Sequence, residues 1–212
     1  MKINGQVAKI LSNYESDNPG TKANLARMLM HGKLGGTGKM VILPVDQGNE
    51  HGPARSFAPN PPAYDPHYHF QLAIEAGLNA YAAPLGFIEA GAGTYAGQIP
   101  LILKCNSANS MARAKENASQ AVTATVKDAL RLGCSAVGFT IYPGSDVAFD
   151  MFEEIAEMGR EAKDMDGLMN EVRALRDGGA NGSIIGRNTF QRPKADALDM
   201  LNKIIKIYQG KD

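Results

Sequence analysis

The apolar period of this chain changes several times, and each change marks an element. Between residues 6 and 31 apolar positions recur at helical spacing: Val7, Ile10 and Leu11 share one face, and Leu25, Met28 and Leu29 another. Asn18-Pro-Gly between them reads as a turn. A glycine-rich stretch from Lys33 to Lys39 leads into Val41–Leu43, an apolar run short enough for a buried strand. Residues 52–66 hold five prolines and few core residues, and read as a long loop. His67–Ala76 returns to helical spacing through Phe70, Leu72, Ala73 and Ile74, and Gly77 is placed to end that helix. Asn79–Ala83 is a second strand, Phe87–Ala92 a short helix and Ile99–Cys105 a third strand. Gln120–Leu132 reads as a helix with Val122, Val126, Ala129 and Leu130 inward, stopped by Gly133. Ser135–Tyr142 is a fourth strand, followed by Pro143-Gly-Ser145.

Strand and helix alternate at roughly 25 to 35 residues per unit, which predicts a parallel sheet with helical crossovers. The rhythm then stops. Residues 146–176 read as one helical run of about 31 residues, interrupted only by Gly159 and Gly167, with Asp146 as its N-cap. Gly182–Gly186 is a fifth strand. A last helix begins near Pro193, with Ala197, Leu198, Leu201, Ile204, Ile205 and Tyr208 on its apolar face.

Charge narrows the choice of partner. Lysine plus arginine equals aspartate plus glutamate, 22 of each among 212 residues, so no global field favours nucleic acid or an anionic membrane. No run of about 18 apolar residues is present to span a bilayer. Two cysteines, Cys105 and Cys134, lie in apolar segments and read as small buried thiols of a reducing compartment. The amino terminus lacks the apolar core of a signal peptide, and the expected location is the cytoplasm.

Candidate chemistry gathers where strands end, as it does in (β/α) folds. The first strand opens into Asp46, Gln47, Gly48, Asn49, Glu50 and His51, with Arg55 behind them. Asp46 leaves the strand first and is held best. Lys104 closes the apolar third strand, where partial desolvation suits an amine nucleophile, an acid–base group or a fixed charge for phosphate. Gly186-Arg187 ends the fifth strand. The glycine admits an oxyanion to the backbone, and the guanidinium forks onto phosphate. Tyr142 ends the fourth strand, as rim packing or as a proton donor. His51, His67 and His69 lack a third nearby ligand at zinc spacing.

Four segments taken in order resemble one family. Leu43-Pro-Val-Asp-Gln-Gly-Asn-Glu-His-Gly-Pro53, Ile102-Leu-Lys-Cys-Asn106, Gly138-Phe-Thr-Ile-Tyr-Pro-Gly-Ser145 and Ser183-Ile-Ile-Gly-Arg-Asn-Thr-Phe-Gln-Arg192 look like class I fructose-bisphosphate aldolase of the archaeal and bacterial type. The resemblance implies a (β/α)8 TIM barrel, a homo-oligomer and a phosphorylated sugar substrate. It implies reversible cleavage of fructose 1,6-bisphosphate to dihydroxyacetone phosphate and glyceraldehyde 3-phosphate through a lysine Schiff base, with no metal and no cofactor. Carried onto this chain, it gives Asp46 an acid–base role, matches Lys104 to a lysine of the third strand, and gives Gly186 and Arg187 the substrate phosphate.

The chain departs from the family over strands five to seven. The Tyr-Pro-Arg-Gly run, the Schiff-base lysine and the Ser-Gly-Gly phosphate loop have no counterpart. The expected architecture is therefore α/β, an incomplete barrel of about five parallel strands in one domain over 1–212. Residues 1–32 form an N-terminal helical extension, and the long 146–176 helix stands where the missing strands would begin. The fifth strand has two possible places, beside the first strand at 41–45 or beside the fourth at 136–141. Only the first brings Arg187 near Asp46.

Overall fold

The computed structural model describes residues 2–47, 52–108, 119–161, 182–184 and 187–209. Five strands form its main sheet: β1 (Met40–Pro44), β2 (Ala80–Pro84), β3 (Leu101–Lys104), β6 (Ala136–Gly138) and β7 (Gly182–Ile184). They run in the order β6-β3-β2-β1-β7, and every pair is parallel. Ile184 pairs with Ile42, so the fifth strand of the sequence reading lies beside the first. Among the described residues the sheet is the parallel α/β arrangement of five strands that the sequence predicts.

Parallel strands covered on both sides sort their residues by parity. Odd positions Val41, Leu43, Tyr81, Ala83, Leu101 and Leu103 belong to the large core with α4 (Pro66–Ala76), α5 (Leu85–Gly91) and α9 (Lys194–Gln209). Even positions Met40, Ile42, Ala80, Ala82, Ile102 and Ala136 form a second, smaller cluster. Met28 and Leu25 of α2 (Pro19–Leu29) pack against this second face. It corresponds to the side that lines a barrel.

Two asparagines and one glycine set the entry to the sheet. Asn18 is the N-cap of α2: its side-chain oxygen accepts from the Thr21 N–H at 2.9 Å, and Pro19 follows in the first turn. The Asn18-Pro-Gly signal thus starts a helix as well as turning the chain. Asn79, 1% exposed, accepts from the Val41 N–H at 2.9 Å and donates to the carbonyls of Met28 (3.0 Å) and His31 (2.8 Å). One side chain thereby ties the end of α2 to the start of β1. Gly77 ends α4 in the left-handed conformation, φ +70°, where a Cβ would be strained.

Three sequence expectations change. Residues 52–66 are not a core-poor loop. They fold into α3 (Pro53–Phe57) and a 3-10 turn (Pro61–Tyr64), and Phe57 and Ala63 are buried. Pro53, Pro61, Pro62 and Pro66 sit at helix starts, where a missing N–H is tolerated, and Pro59 lies in the turn between α3 and the 3-10 turn. Residues 120–132 are not one helix. Ala121–Val122 (β5) pairs antiparallel with Asn106–Ser107 (β4), and α6 spans only Val126–Arg131. The physical reason is Thr125, which with Asp128 makes a capping box and starts the helix there. The register then leaves Leu130 outward at 73% exposure while Ala129 is buried. The fourth strand is shorter than Ser135–Tyr142, because the ladder to β3 ends at Gly138.

The described helix after β6 is α7 (Ala148–Glu161), with Met151 and Met158 buried and Phe149 and Phe152 exposed. The remainder of the expected 146–176 helix, from residue 162 on, lies outside the described residues. After β7 come α8 (Arg187–Phe190) and α9, whose Ala197, Leu201 and Ile205 are buried. Lys194 at the start of α9 reaches Glu75 of α4 at 2.6 Å.

Candidate active site

Strand register places Asp46 and Lys104 at one height. Pro44 pairs with Ala82, two residues before Pro84, and Pro84 pairs with Lys104. Continuing β1 by two residues therefore sets Asp46 level with Pro84 and Lys104. Both acid and amine follow the even parity of the inner face. One strand, β2, separates their backbones, roughly 10 Å for two inter-strand steps. The lysine side chain crosses that gap, and its Nζ donates to Asp46 Oδ2 at 3.2 Å. The lysine side chain is 10% exposed and the aspartate 32%. Asp46 and Lys104, separate candidates in the sequence, thus form one half-buried ion pair at the carboxyl ends of β1 and β3.

Lys104 also pairs with Gly138 of β6. A Cβ at Gly138 would meet nothing nearer than Ile102 Cγ2 at 3.6 Å, so packing does not demand glycine there. Pro84, between acid and amine, has no N–H to leave unpaired.

The other candidates divide. Gly48, Asn49, Glu50 and His51 lie outside the described residues, as does Gly186. Arg187 is the first residue of α8. Since Ile184 pairs with Ile42, β7 delivers the chain to the same edge of the sheet as Asp46. Arg55 is exposed on α3. The Tyr142 hydroxyl accepts from Gln120 Nε2 at 3.0 Å, which gives this tyrosine a partner from β5's approach.

The histidines and cysteines serve the framework. His67 shares a hydrogen bond of 2.7 Å with the Ala90 carbonyl, and His69 one of 2.8 Å with the Ala63 carbonyl. His69 is fully buried among Phe57, Tyr68, Phe87 and Phe190, and burial lowers its pKa to about 4. Burial raises the Cys105 thiol to about 12 and Cys134 to about 11, so both stay protonated near neutral pH. Among the described residues no three His, Cys, Asp or Glu side chains gather to hold a metal ion. None of the described helices is long and apolar enough to cross a membrane.

Two buried polar side chains were not singled out from sequence: Asn106, two residues past Lys104, and Gln120, 0% and 1% exposed. A signal for Asn106 was present, an amide two residues past a strand-ending lysine and of the same parity. Gln120 gave none, because its partner Tyr142 is remote in sequence.

Comparison with known proteins adds a family to this geometry. The model of the DeoC/LacD family aldolases matches residues 40–170. A probable class 1 fructose-bisphosphate aldolase of Chlamydia trachomatis is 40% identical over 142 residues, 67% of this chain and 40% of the relative. A class 1 fructose-bisphosphate aldolase of Thermoproteus tenax is 43% identical over 129 residues, 61% of this chain and 47% of the relative. The chain thus spans less than half the length of these curated relatives. A solved Schiff-base-forming fructose-1,6-bisphosphate aldolase superposes with TM-score 0.67 at 25% identity, covering 87% of this chain and 99% of the other. An archaeal fructose 1,6-bisphosphate aldolase gives TM-score 0.65 at 26% identity, with coverages of 81% and 94%.

Proposed function

The chain belongs to the DeoC/LacD family of aldolases, and from that premise we propose that its site is a class I fructose-bisphosphate aldolase site. The substrate is fructose 1,6-bisphosphate, and the reaction is reversible aldol cleavage to dihydroxyacetone phosphate and glyceraldehyde 3-phosphate. The observation that carries the reading is the Lys104–Asp46 pair, 3.2 Å apart on the inner face at the carboxyl ends of β3 and β1. The names and folds of the relatives support it.

Class I cleavage needs an amine that condenses with the ketone and loses water. The resulting iminium accepts the electron pair when the C3–C4 bond breaks. A carboxylate takes the C4 hydroxyl proton, and an acid later returns a proton to the enamine carbon. Asp46 is assigned the acid–base role. Lys104 is the amine that the described site offers, or else a fixed cation for the substrate. Gly186 and Arg187 are assigned a substrate phosphate, because β7 runs beside β1. The same reading makes the protein a cytoplasmic homo-oligomer.

A second reading is favoured by one observation: strands five to seven of the family, including the Schiff-base lysine, have no counterpart in the sequence. On that reading the site binds a phosphorylated sugar without turning it over.

One experiment separates the two. Dihydroxyacetone phosphate is bound and titrated by calorimetry, then the mixture is reduced with borohydride and mapped by mass spectrometry. Binding that weakens roughly 10- to 100-fold in Arg187→Ala is expected, since a charge-assisted partner is lost. A reduced adduct on Lys104 supports turnover. Binding without an adduct supports the second reading. No binding at all overturns both.

A further inference from the structure

The ladder between β3 and β6 breaks one residue past Lys104. Cys105 donates its N–H to the Gly138 carbonyl at 2.9 Å. The next rung of a parallel ladder would carry the Thr140 N–H to the Cys105 carbonyl. That carbonyl is already taken. The N–H groups of Thr123 (2.8 Å) and Ala124 (3.2 Å), which follow β5, donate to it. The segment that pairs β5 with β4 has therefore taken the carbonyl that would continue the ladder from β3 to β6.

Asn106 fills the gap. Its Oδ1 accepts from the Thr140 N–H at 2.9 Å, and its Nδ2 donates to the Thr140 carbonyl at 2.8 Å. A carboxamide offers one acceptor and two donors at nearly the spacing of a peptide group, so it can stand in for the missing strand. The residue is fully buried. It lies two positions past Lys104, on the same side of the strand.

We propose that Asn106 is the positioning residue for Lys104: its carboxamide replaces the lost rung and holds the ends of β3 and β6 together, so that the Lys104 ammonium stays on Asp46 when a charged ligand enters. The proposal rests on the sugar-phosphate reading of that pair. A lysine side chain has four rotatable bonds, and the place of its ammonium depends on the backbone from which it starts. β3 ends at Lys104 itself. Without the Asn106 clamp, the Cys105 rung would be the last tie to β6, and Lys104 would stand on a fraying strand end. Aspartate at this place keeps an acceptor for the Thr140 N–H but turns an oxygen toward the Thr140 carbonyl. Alanine leaves both backbone groups without the amide.

The test is competitive acetylation of the full chain, read by peptide mass spectrometry, for the wild type, Asn106→Ala and Asn106→Asp. Exposed Lys2 and Lys9 serve as internal controls. Lys104 is expected to react roughly tenfold faster in both variants, the scale of one buried hydrogen bond, while Lys2 and Lys9 are unchanged. Where Asn106→Ala fails to fold, Asn106→Asp carries the test. A fall in melting temperature with no change at Lys104 would show a merely structural clamp and overturn the proposal. Equal acceleration of other lysines held by hydrogen bonds, such as Lys33 and Lys194, the mark of general unfolding, would overturn it as well. If the wild type binds no triose phosphate yet Lys104 responds selectively, the positioning role stands and the sugar-phosphate reading falls.

Discussion

The two faces of one sheet do different work. On the outer face, odd-numbered residues of β1, β2 and β3 are almost wholly buried: Val41, Leu43, Tyr81 and Leu103 are each 0% exposed. Helices α4, α5 and α9 cover them. On the inner face, the even-numbered residues form a smaller cluster: partly buried Ala82, Ile102 and Ala136 pack around the buried Ile42 and Ala80, with α2 at one end. Above this row, on the same parity, stand Asp46, Lys104 and Asn106. Alternation along a strand thus separates stability from chemistry at single-residue intervals. The lesson is that a strand can be rebuilt on one face without disturbing the other.

Substitutions can break that comparison. The largest effect is expected at Leu43→Ala on the outer face, a loss of about 3–5 kcal/mol in urea unfolding, because a fully buried leucine leaves a cavity. A loss under about 1 kcal/mol would mean that the outer layer is loosely packed. Acid is the next lever on the same layer. His69 is buried neutral with its pKa lowered to about 4, whereas the unfolded chain titrates near the ordinary value of 6.5. Between these values the unfolded state binds more protons, so stability is complete above about pH 6.5 and declines as pH falls toward about 4. The slope reaches about 1.4 kcal/mol per pH unit and the total is on the order of 3 kcal/mol. Unfolding curves at several pH values should lose this slope in His69→Gln, and an unchanged slope would assign acid sensitivity elsewhere.

A smaller effect of opposite sign is expected at Tyr81. Its hydroxyl is buried and finds no hydrogen-bond partner among the described residues. Tyr81→Phe removes that stranded group and keeps the ring against Phe70, 4.7 Å away. Stability should rise by about 1 kcal/mol. Destabilisation would show that the hydroxyl has a partner after all. The smallest change in stability belongs to the inner face. Gly138→Ala should stay within about 0.5 kcal/mol of the wild type, because the added carbon finds ordinary contacts. The same methyl group stands on the rung that pairs with Lys104, and triose phosphate binding is expected to weaken in calorimetry. Full binding would place the ligand away from that side.

Much of this was legible along the chain. Val41–Leu43, the 79–83 run and Leu101–Lys104 declared themselves as strands because buried parallel strands are continuously apolar. Gly77 declared the end of α4 because only a residue tolerant of positive φ closes a helix that way. Asp46 and Lys104 stood out as polar groups released at strand ends. Residues 120–132 misled because Val122, Val126 and Leu130 recur at helical spacing, while Thr125 resets the helix start three residues before Asp128. The prolines of 52–66 read as loop punctuation, but Pro53 heads the helix that buries Phe57, and Pro61 heads the 3-10 turn that buries Ala63.

By itself, the sequence determined the period of each element, the alternation that makes the sheet parallel, and which residue types could do chemistry. These are local properties, set by the spacing of side chains on one backbone. Tertiary structure alone decided which strand β7 joins, that Asp46 and Lys104 meet across β2, and that Asn106 substitutes for a lost rung at Thr140. Each of these depends on register between segments 34 to 142 residues apart. Register is settled by the summed packing of two faces and by competition for single carbonyls, neither of which any one segment contains.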